Sequence, residues 1–301
     1  MRRAHFLTGL ILLAPLPAHA QTDKKAPPPP QTCDELVIAL DAIERTPETT
    51  VEDTADGCRL TNFYIGTDTY TRYRIAGLEL RAPTLLEDFV AERPPAELDL
   101  AITGFANAPD TGSPNSNYLI EIQSEPMDMH FHYRWDQQSH TVEVSDFSVT
   151  APGDGAIRLA GRLSSMNFDP KSLDSFDDIP GAFDQLTVEF SNALFVSALL
   201  APALIGNLPY DEDPRPIIAD YQQSAVAFIE GLPAETMSDD SKAALASFIT
   251  TFPRATGDYA FELRADPPFE FASIDLDEID GLLPLLQRLQ LAVSHTPADE
   301  P

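Results

Sequence analysis

The sequence predicts an α+β protein built on a curved antiparallel β-sheet, with helices packed on one face and more helix in the C-terminal half. Apolar and polar residues alternate with a period of two from Cys58 to about Leu163. Turn clusters rich in Pro, Gly, Asn and Asp interrupt these runs. Longer apolar and amphipathic segments follow after residue 190. Strands that come first and helices that come later are typical of an α+β domain.

The first twenty residues predict a cleavable export signal. Met1-Arg2-Arg3 supplies a positive start, Phe6 to Leu16 an apolar run, and Ala18-His19-Ala20 a small-x-small site for cleavage before Gln21. The apolar run is too short for a spanning helix, which needs about 20 residues. Because position 21 is Gln and not Cys, a bacterial lipid anchor is not indicated. We therefore expect a chain in the periplasm of a Gram-negative bacterium, or secreted.

The predicted domain organisation after the signal is simple. Residues 21–32 include four consecutive prolines and predict a disordered linker. Residues 33–295 predict a single α+β domain that is rich in strands to about residue 190 and mixed after it. Residues 296–301 predict a disordered tail.

Cys33 and Cys58 are the only cysteines in the chain. In an exported protein two cysteines most simply form a disulfide, which here closes a loop of about 25 residues and stabilises the fold by roughly 3 kcal/mol. No Cys-x-x-Cys motif occurs, which argues against a thiol-disulfide oxidoreductase. We predict a structural disulfide between Cys33 and Cys58.

Local patterns predict the individual elements of the domain. Apolar spacing predicts helices over Cys33–Arg45, Ser191–Ile205, Pro216–Leu232, from Ser238 through Phe252, and Leu282–Val293. Alternation predicts strands over Asn117–Gln123, Met127–Trp135, Ile157–Leu163 and Tyr259–Leu263.

The chain is strongly acidic, with a formal net charge of −29. Loss of Arg2 and Arg3 with the signal would make it two units more negative. Such a field repels nucleic acid and anionic headgroups, so we expect no nucleic-acid partner. A solvated acidic surface is the simplest interpretation, and attraction to a basic partner or a cation is the functional alternative.

Histidines limit the chemistry that the chain offers. Two of the six leave with the signal, and His130 and His132 lie together in the string Met127-Asp128-Met129-His130-Phe131-His132. At a period of two, the methionines and aromatics point one way and Asp128 and the two histidines the other. His130 and His132 are candidate Zn or Cu ligands, with Asp128 or a carboxylate of a neighbouring strand. They are also the candidate bases of a hydrolase. We favour the interpretation that the methionines and aromatics form a packed apolar face and that the polar residues on the other face are solvated. We therefore assign no catalytic, cofactor or metal residue.

Three segments carry a resemblance to a known family. They are Gly155-Ala156-Ile157-Arg158-Leu159-Ala160-Gly161-Arg162-Leu163, then Phe183 to Leu194 followed by an apolar helix, and Phe261 to Pro268. Over residues 140–290 the chain resembles AsmA-like envelope proteins and their periplasmic relatives. The resemblance implies a long curved sheet whose apolar concave side shields lipid.

We therefore expect an exported, soluble, non-enzymatic envelope protein that binds or shields a lipid or another apolar ligand without a cofactor and without spanning the membrane. Binding sites for apolar ligands typically have a mostly apolar lining with few polar groups. The alternatives are a periplasmic hydrolase or metal-binding protein that uses His130 and His132, and an adaptor for other envelope proteins. The side chains expected to line a ligand cleft are Phe195, Leu199, Leu200, Tyr221 and Phe228.

Overall fold

The computed structural model describes most of the predicted domain, namely residues 29–40, 42–66, 72–153, 155–168, 180–193, 195–197, 201, 205–206, 208, 213–270 and 289–298. The predicted signal over residues 1–20 lies outside the described residues. So do most of the predicted linker, parts of the predicted helix over 191–205 and the last three residues of the predicted tail.

The described strands form one antiparallel sheet of ten in which each strand pairs with the next along the chain. This confirms the predicted antiparallel sheet, and β1 and β10 are its edges. The strands are β1 (Ile43–Asp53), β2 (Gly57–Gly66), β3 (Arg72–Arg81), β4 (Glu97–Asn107), β5 (Met127–Asp136), β6 (Thr141–Thr150), β7 (Ala156–Ser164), β8 (Ala182–Ser191), β9 (Asp258–Glu270) and β10 (Leu289–Thr296).

Five fully bounded helices connect or flank these strands. They are α1 (Cys33–Ala39), α2 (Leu85–Val90), α3 (Pro114–Gln123), α4 (Pro214–Glu230) and α5 (Asp239–Thr251). Helical residues also follow β8, at 193, 195–197, 201 and 205. Helix α1 packs on β1 and β2 at one edge, while α5 packs on β10 at the other edge and on α4. Ser238 caps α5, since its hydroxyl accepts a hydrogen bond from the N–H of Ser241.

The predicted disulfide is confirmed. Cys33 and Cys58 are joined, with 5.7 Å between their Cα atoms, and both are buried. The bond attaches α1 to β2, where Leu36 and Val37 of the helix enter the same apolar cluster as Leu60. The helix thereby covers this edge of the sheet.

The predicted first helix is too long. It ends at Ala39 and not at Arg45, and β1 begins at Ile43. Ile43 and Val51 of this strand pack against the apolar cluster beneath α1. Threonines and a valine in the strand suit extended backbone, and pairing with β2 outweighs the helical spacing of the preceding residues.

The predicted strand over Asn117–Gln123 is wrong, because these residues belong to α3. Ser113 accepts a hydrogen bond from the N–H of Ser116, and Pro114 occupies the first turn of the helix. Both residues are strong signals for the start of a helix. They outweigh an alternation that rests on only three apolar residues.

The predicted helix over Leu282–Val293 is also wrong over residues 289–293, the part of it that the structure describes. Residues 282–288 lie outside the described residues, but Leu289–Thr296 is an edge strand paired with β9. Leu289 and Val293 point into the core while Gln290 and Ser294 are exposed, which is an alternation of period two. The leucine-rich composition concealed that period.

Removal of the disulfide should destabilise the fold. We expect the Cys33→Ala/Cys58→Ala variant to lose about 3 kcal/mol of the free energy of unfolding, because the unfolded chain regains the freedom of a closed loop. Urea unfolding followed by circular dichroism measures the loss. Reductant should lower the wild-type midpoint similarly and leave the variant unchanged. Equal midpoints for the oxidised wild type and the variant would contradict a stabilising role.

Candidate functional site

The two faces of the sheet differ in chemistry. Strand β5 shows the difference, since Met129, Phe131 and Tyr133 lie on the side of the apolar clusters. His130 and His132 lie on the opposite side, among charged residues of the neighbouring strands. The expected packed face with polar residues opposite is therefore present along β5.

On the polar face, a row of alternating charges crosses the sheet from β1 to β6. Arg59 of β2 lies between Glu52 of β1, at 3.9 Å, and Glu79 of β3, at 3.3 Å. Arg81 contacts Glu79 at 2.7 Å and lies 3.8 Å from Asp99 of β4. The row continues through His130 of β5 to Asp146 of β6. Exposed pairs such as these contribute little singly, and their effect is to match neighbouring strands in register.

His130 is held between two carboxylates. Its Nδ1 lies 2.6 Å from Asp146 Oδ2 and its Nε2 lies 2.9 Å from Asp99 Oδ1. Partial burial by itself lowers the pKa of His130, but the hydrogen bonds to Asp146 and then Asp99 outweigh it, so that the pKa is raised. Only the imidazolium can donate to both carboxylates at once. His130 is therefore suited to a charged, structural role, with neither ring nitrogen left to act as a base or a metal ligand.

His132 has different partners. Its Nδ1 is hydrogen-bonded to the hydroxyl of Ser145, and its Nε2 lies 3.5 Å from Glu97 Oε1. Glu97 is also bonded to Arg134 at 3.1 Å, and this bond, together with the charge of Arg134 and the contact to His132, lowers the pKa of Glu97. The order hydroxyl, imidazole, carboxylate is that of a hydrolase triad.

A bulge in β6 brings these partners together. The pairing shifts between His132 and Tyr133, so that Asp146 is opposite His132 while Val144 is opposite Tyr133. Ser145 is the extra residue, and both it and Asp146 reach the histidines. Strict alternation would put Ser145 and Asp146 on opposite faces, which is why the sequence alone does not reveal the pair.

Metal ligation at the histidines gains no support from this geometry. Among the residues that the structure describes, no group of three or more His, Cys, Asp and Glu side chains is arranged to hold a metal ion. Met127 and Met129 lie on the other face of the sheet from His130 and His132, as the alternation predicts. A mixed thioether and imidazole site therefore cannot form on β5.

The apolar face contains an unbroken row of side chains at the centre of the sheet. Phe131 is paired with Phe147, Phe147 with Leu159, Leu159 with Val188, and Val188 with Phe261, one residue from each of β5 to β9. All five are only half-buried. We call them the central apolar row.

Buried residues flank this row on both sides. The row is continued by Leu100 of β4 on one side and by Val293 of β10 on the other, and both of these are buried. At the β10 side, Phe248 of α5 contacts Phe261 at a ring distance of 6.2 Å. Of the described helices, α1 and α5 make the extensive contacts with the sheet, and they lie on its outermost strands.

Three of the side chains expected to line a cleft are among the described residues, and none of the three belongs to this row. Tyr221 and Phe228 are exposed on α4, while Leu199 and Leu200 lie outside the described residues. Phe195 lies against Gly155, where a Cβ atom would come within 2.6 Å of its ring. The central apolar row was not singled out from the sequence, because its members become neighbours only through the strand pairing.

Two shallow clefts among the described residues have mixed polar and apolar linings. One lies between α5 and β10, beside Asp240 and His295. The other lies at the strand ends beside Gly155, Arg158 and Asp258. Neither of these two clefts is lined by the central apolar row.

Comparison with known proteins gives no relatives: no family model, no curated protein and no solved structure matches this chain. The resemblance to AsmA-like proteins stays a prediction. In the described part of the chain, no helix combines the length and the apolar composition that crossing a membrane requires.

The position of His130 predicts a pH-dependent stability. Because its folded pKa is raised above the ordinary 6.5, its contribution is fully present below that pH and is lost as the pH rises through the folded pKa. We expect the His130→Gln variant to be less stable than the wild type at about pH 5.5 and the difference to shrink by about pH 8.5. Urea titrations at a series of pH values measure this difference.

A matched control is His140→Asn, because His140 is exposed in the turn between β5 and β6. This variant should keep the pH dependence of the wild type. A difference between wild type and His130→Gln that stays constant with pH would show that the imidazolium does not contribute.

Proposed function

We propose that this chain is an exported envelope protein that binds the acyl part of a lipid, or another apolar ligand, on the central apolar row of its sheet. The observation that supports the proposal is the half-burial of five paired apolar side chains on neighbouring strands. Each carries apolar surface that a ligand would remove from water, at about 25 cal/mol per Å².

The dimensions of the row suit an extended apolar chain. Neighbouring strands lie about 4.8 Å apart, so the row from β5 to β9 is about 19 Å long. That length is on the order of a lipid acyl chain. The two aromatic rings at its start, Phe131 and Phe147, lie 6.1 Å apart in an edge-on arrangement and offer a broad contact surface.

The disulfide supports a location in the envelope, and the charge limits the partners. A disulfide is typical of an oxidising compartment. The formal charge of −29 disfavours nucleic acid as a partner. On this proposal the protein is not an enzyme and needs no cofactor, and its sheet serves as a binding surface.

The proposal predicts that Leu159 contributes to ligand binding. We expect Leu159→Gln to weaken binding of a phosphatidylethanolamine with a fluorescent acyl chain about tenfold, because an amide replaces an apolar contact worth roughly 1.4 kcal/mol. Fluorescence titration measures the affinity. Native mass spectrometry of the chain isolated from the cell envelope should show copurified lipid for the wild type and less for the variant.

The matched control is Arg158→Gln, which changes the neighbouring residue of β7 on the opposite face. It should bind the probe as the wild type does. A lipid-free wild type that also fails to bind the probe would refute the proposal, and equal binding by Leu159→Gln would exclude the central apolar row.

A hydrolase at His132 is the second candidate, and the contact between Ser145 and His132 Nδ1 favours it. In that reaction His132 takes the hydroxyl proton as the Ser145 oxygen attacks an ester carbonyl, and returns the proton to the leaving alcohol. Water, deprotonated by His132, then attacks the acyl-Ser145 ester, which releases the carboxylic acid and restores the hydroxyl. It ranks second because Glu97, the third member, is shared with Arg134. A carboxylate so engaged orients the imidazole less well.

Ester turnover tests this second candidate. If the hydrolase operates, p-nitrophenyl butyrate is cleaved by the wild type, and Ser145→Ala abolishes the release of p-nitrophenol. Ser148→Ala, on the same strand and opposite His130, should leave turnover unchanged. No release above buffer, or equal rates for the two variants, removes the hydrolase from consideration.

A further inference from the structure

Helix α3 exposes apolar side chains to solvent. Tyr118, Leu119 and Ile122 are exposed by 63, 53 and 59 %. At 100° per residue these three side chains fall within one arc of about 100°, together with Asn115. None of the residues of this helix is fully buried. A solvated helix usually shows the reverse arrangement, with polar residues outside.

The opposite side of α3 is mostly polar and faces the protein. Ser116, Asn117 and Ile120 are partly buried. The amide oxygen of Asn117 accepts hydrogen bonds from the backbone N–H and the hydroxyl of Thr111, and its amide nitrogen donates to Asp110 at 3.1 Å. Polar contacts with the preceding loop therefore hold this side of the helix.

Further contacts fix the C-terminal end of α3. Arg74 of β3 pairs with Glu121 at 3.1 Å. The hydroxyl of Ser124, just after the helix, lies 2.7 Å from the carbonyl oxygen of Ile120 and 3.1 Å from that of Asn107 at the end of β4, so it shares its proton between the helix and the strand. The helix is thus attached at both ends, and its exposed apolar side is held in one orientation at the end of β4 and β5.

We propose that the exposed side of α3, formed by Tyr118, Leu119 and Ile122, docks on the surface of a zwitterionic lipid bilayer. The helix carries a single charged residue, Glu121, and Arg74 pairs with it. The charge of the helix itself is thus compensated, and the side that Tyr118, Leu119 and Ile122 form is uncharged in a chain with a net charge of −29. Tyrosine favours the membrane interface, where leucine and isoleucine insert among the acyl chains.

The size of the surface distinguishes a bilayer from a protein partner. A specific protein interface buries about 800 Å² on each partner and involves roughly 20–30 residues a side. Three side chains on a helix of about 15 Å cover only a fraction of that area. A bilayer requires no complementary shape, so a few apolar side chains in a fixed orientation suffice for reversible contact.

The location of α3 connects this surface to the apolar face of the sheet. The helix links β4 to β5, and the first pair of these strands beside it is Phe105 with Met127. Phe105 and Phe131 pack against the same apolar cluster. Bilayer docking goes beyond ligand binding on the sheet and does not require it.

Vesicle flotation tests the docking. The chain isolated from the envelope of a Gram-negative host should float with vesicles of phosphatidylcholine and phosphatidylethanolamine. The Tyr118→Ser/Leu119→Ser/Ile122→Ser variant should bind them at least tenfold more weakly. Ile38→Ser is the matched control, because Ile38 of α1 is a single exposed apolar side chain at 67 %. It should float like the wild type.

A second measurement keeps the test independent of the triple variant's folding. The chain has one tryptophan, Trp135. Tryptophan introduced as Ile122→Trp should shift its emission to the blue when the same vesicles are added, and a Tyr221→Trp variant on exposed α4 should not. No flotation of the wild type, or equal flotation of the triple variant, overturns the proposal.

Two further outcomes separate the competing explanations. A triple variant that loses self-association and not vesicle binding would assign the surface to a second copy of the chain and overturn bilayer docking. The Leu159→Gln variant should still float, and the triple variant should still retain copurified lipid. Failure of ligand binding on the sheet is therefore distinguishable from failure of docking.

Discussion

The register between ten antiparallel strands is the constraint on which the rest of the structure depends. A slip of one residue in any pairing would move every side chain of a strand to the other face. The pairing from β5 to β9 instead keeps Phe131, Phe147, Leu159, Val188 and Phe261 on one side. The same register places the alternating charges of β1 to β6 on the other. The register that keeps the apolar face continuous therefore also keeps the charged face continuous.

Bulges adjust this register without breaking it. The shift at His132 and Tyr133 adds Ser145 to β6, and the next pairing, between β6 and β7, shifts over the same part of β6. The apolar row survives, because Phe147 still pairs with Leu159. On the polar face the extra residue gives His132 a hydroxyl partner while Asp146 reaches His130. One irregularity thus produces both the ion pair and the triad-like contact.

Alternation was sufficient to predict the strands around His130 and Leu159, and the cysteine count was sufficient to predict the disulfide. Alternation is a local signal, and two cysteines allow only one pairing. The partners of His130 were not predictable, because Asp99 and Asp146 reach it only after β4 and β6 are paired with β5. The strand assigned to α3 and the helix assigned to β10 failed because capping in one case and pairing with β9 in the other outweighed composition.

The two apolar surfaces carry different weight as signs of function. A sheet packed on one side needs an apolar face for its core, so half-buried side chains on the central apolar row are partly a consequence of folding. No such need applies to Tyr118, Leu119 and Ile122, since α3 is held by polar contacts on its other side. Serine or lysine there would leave those contacts intact. Exposed apolar residues that the fold does not require are therefore the stronger indication of contact with an apolar environment.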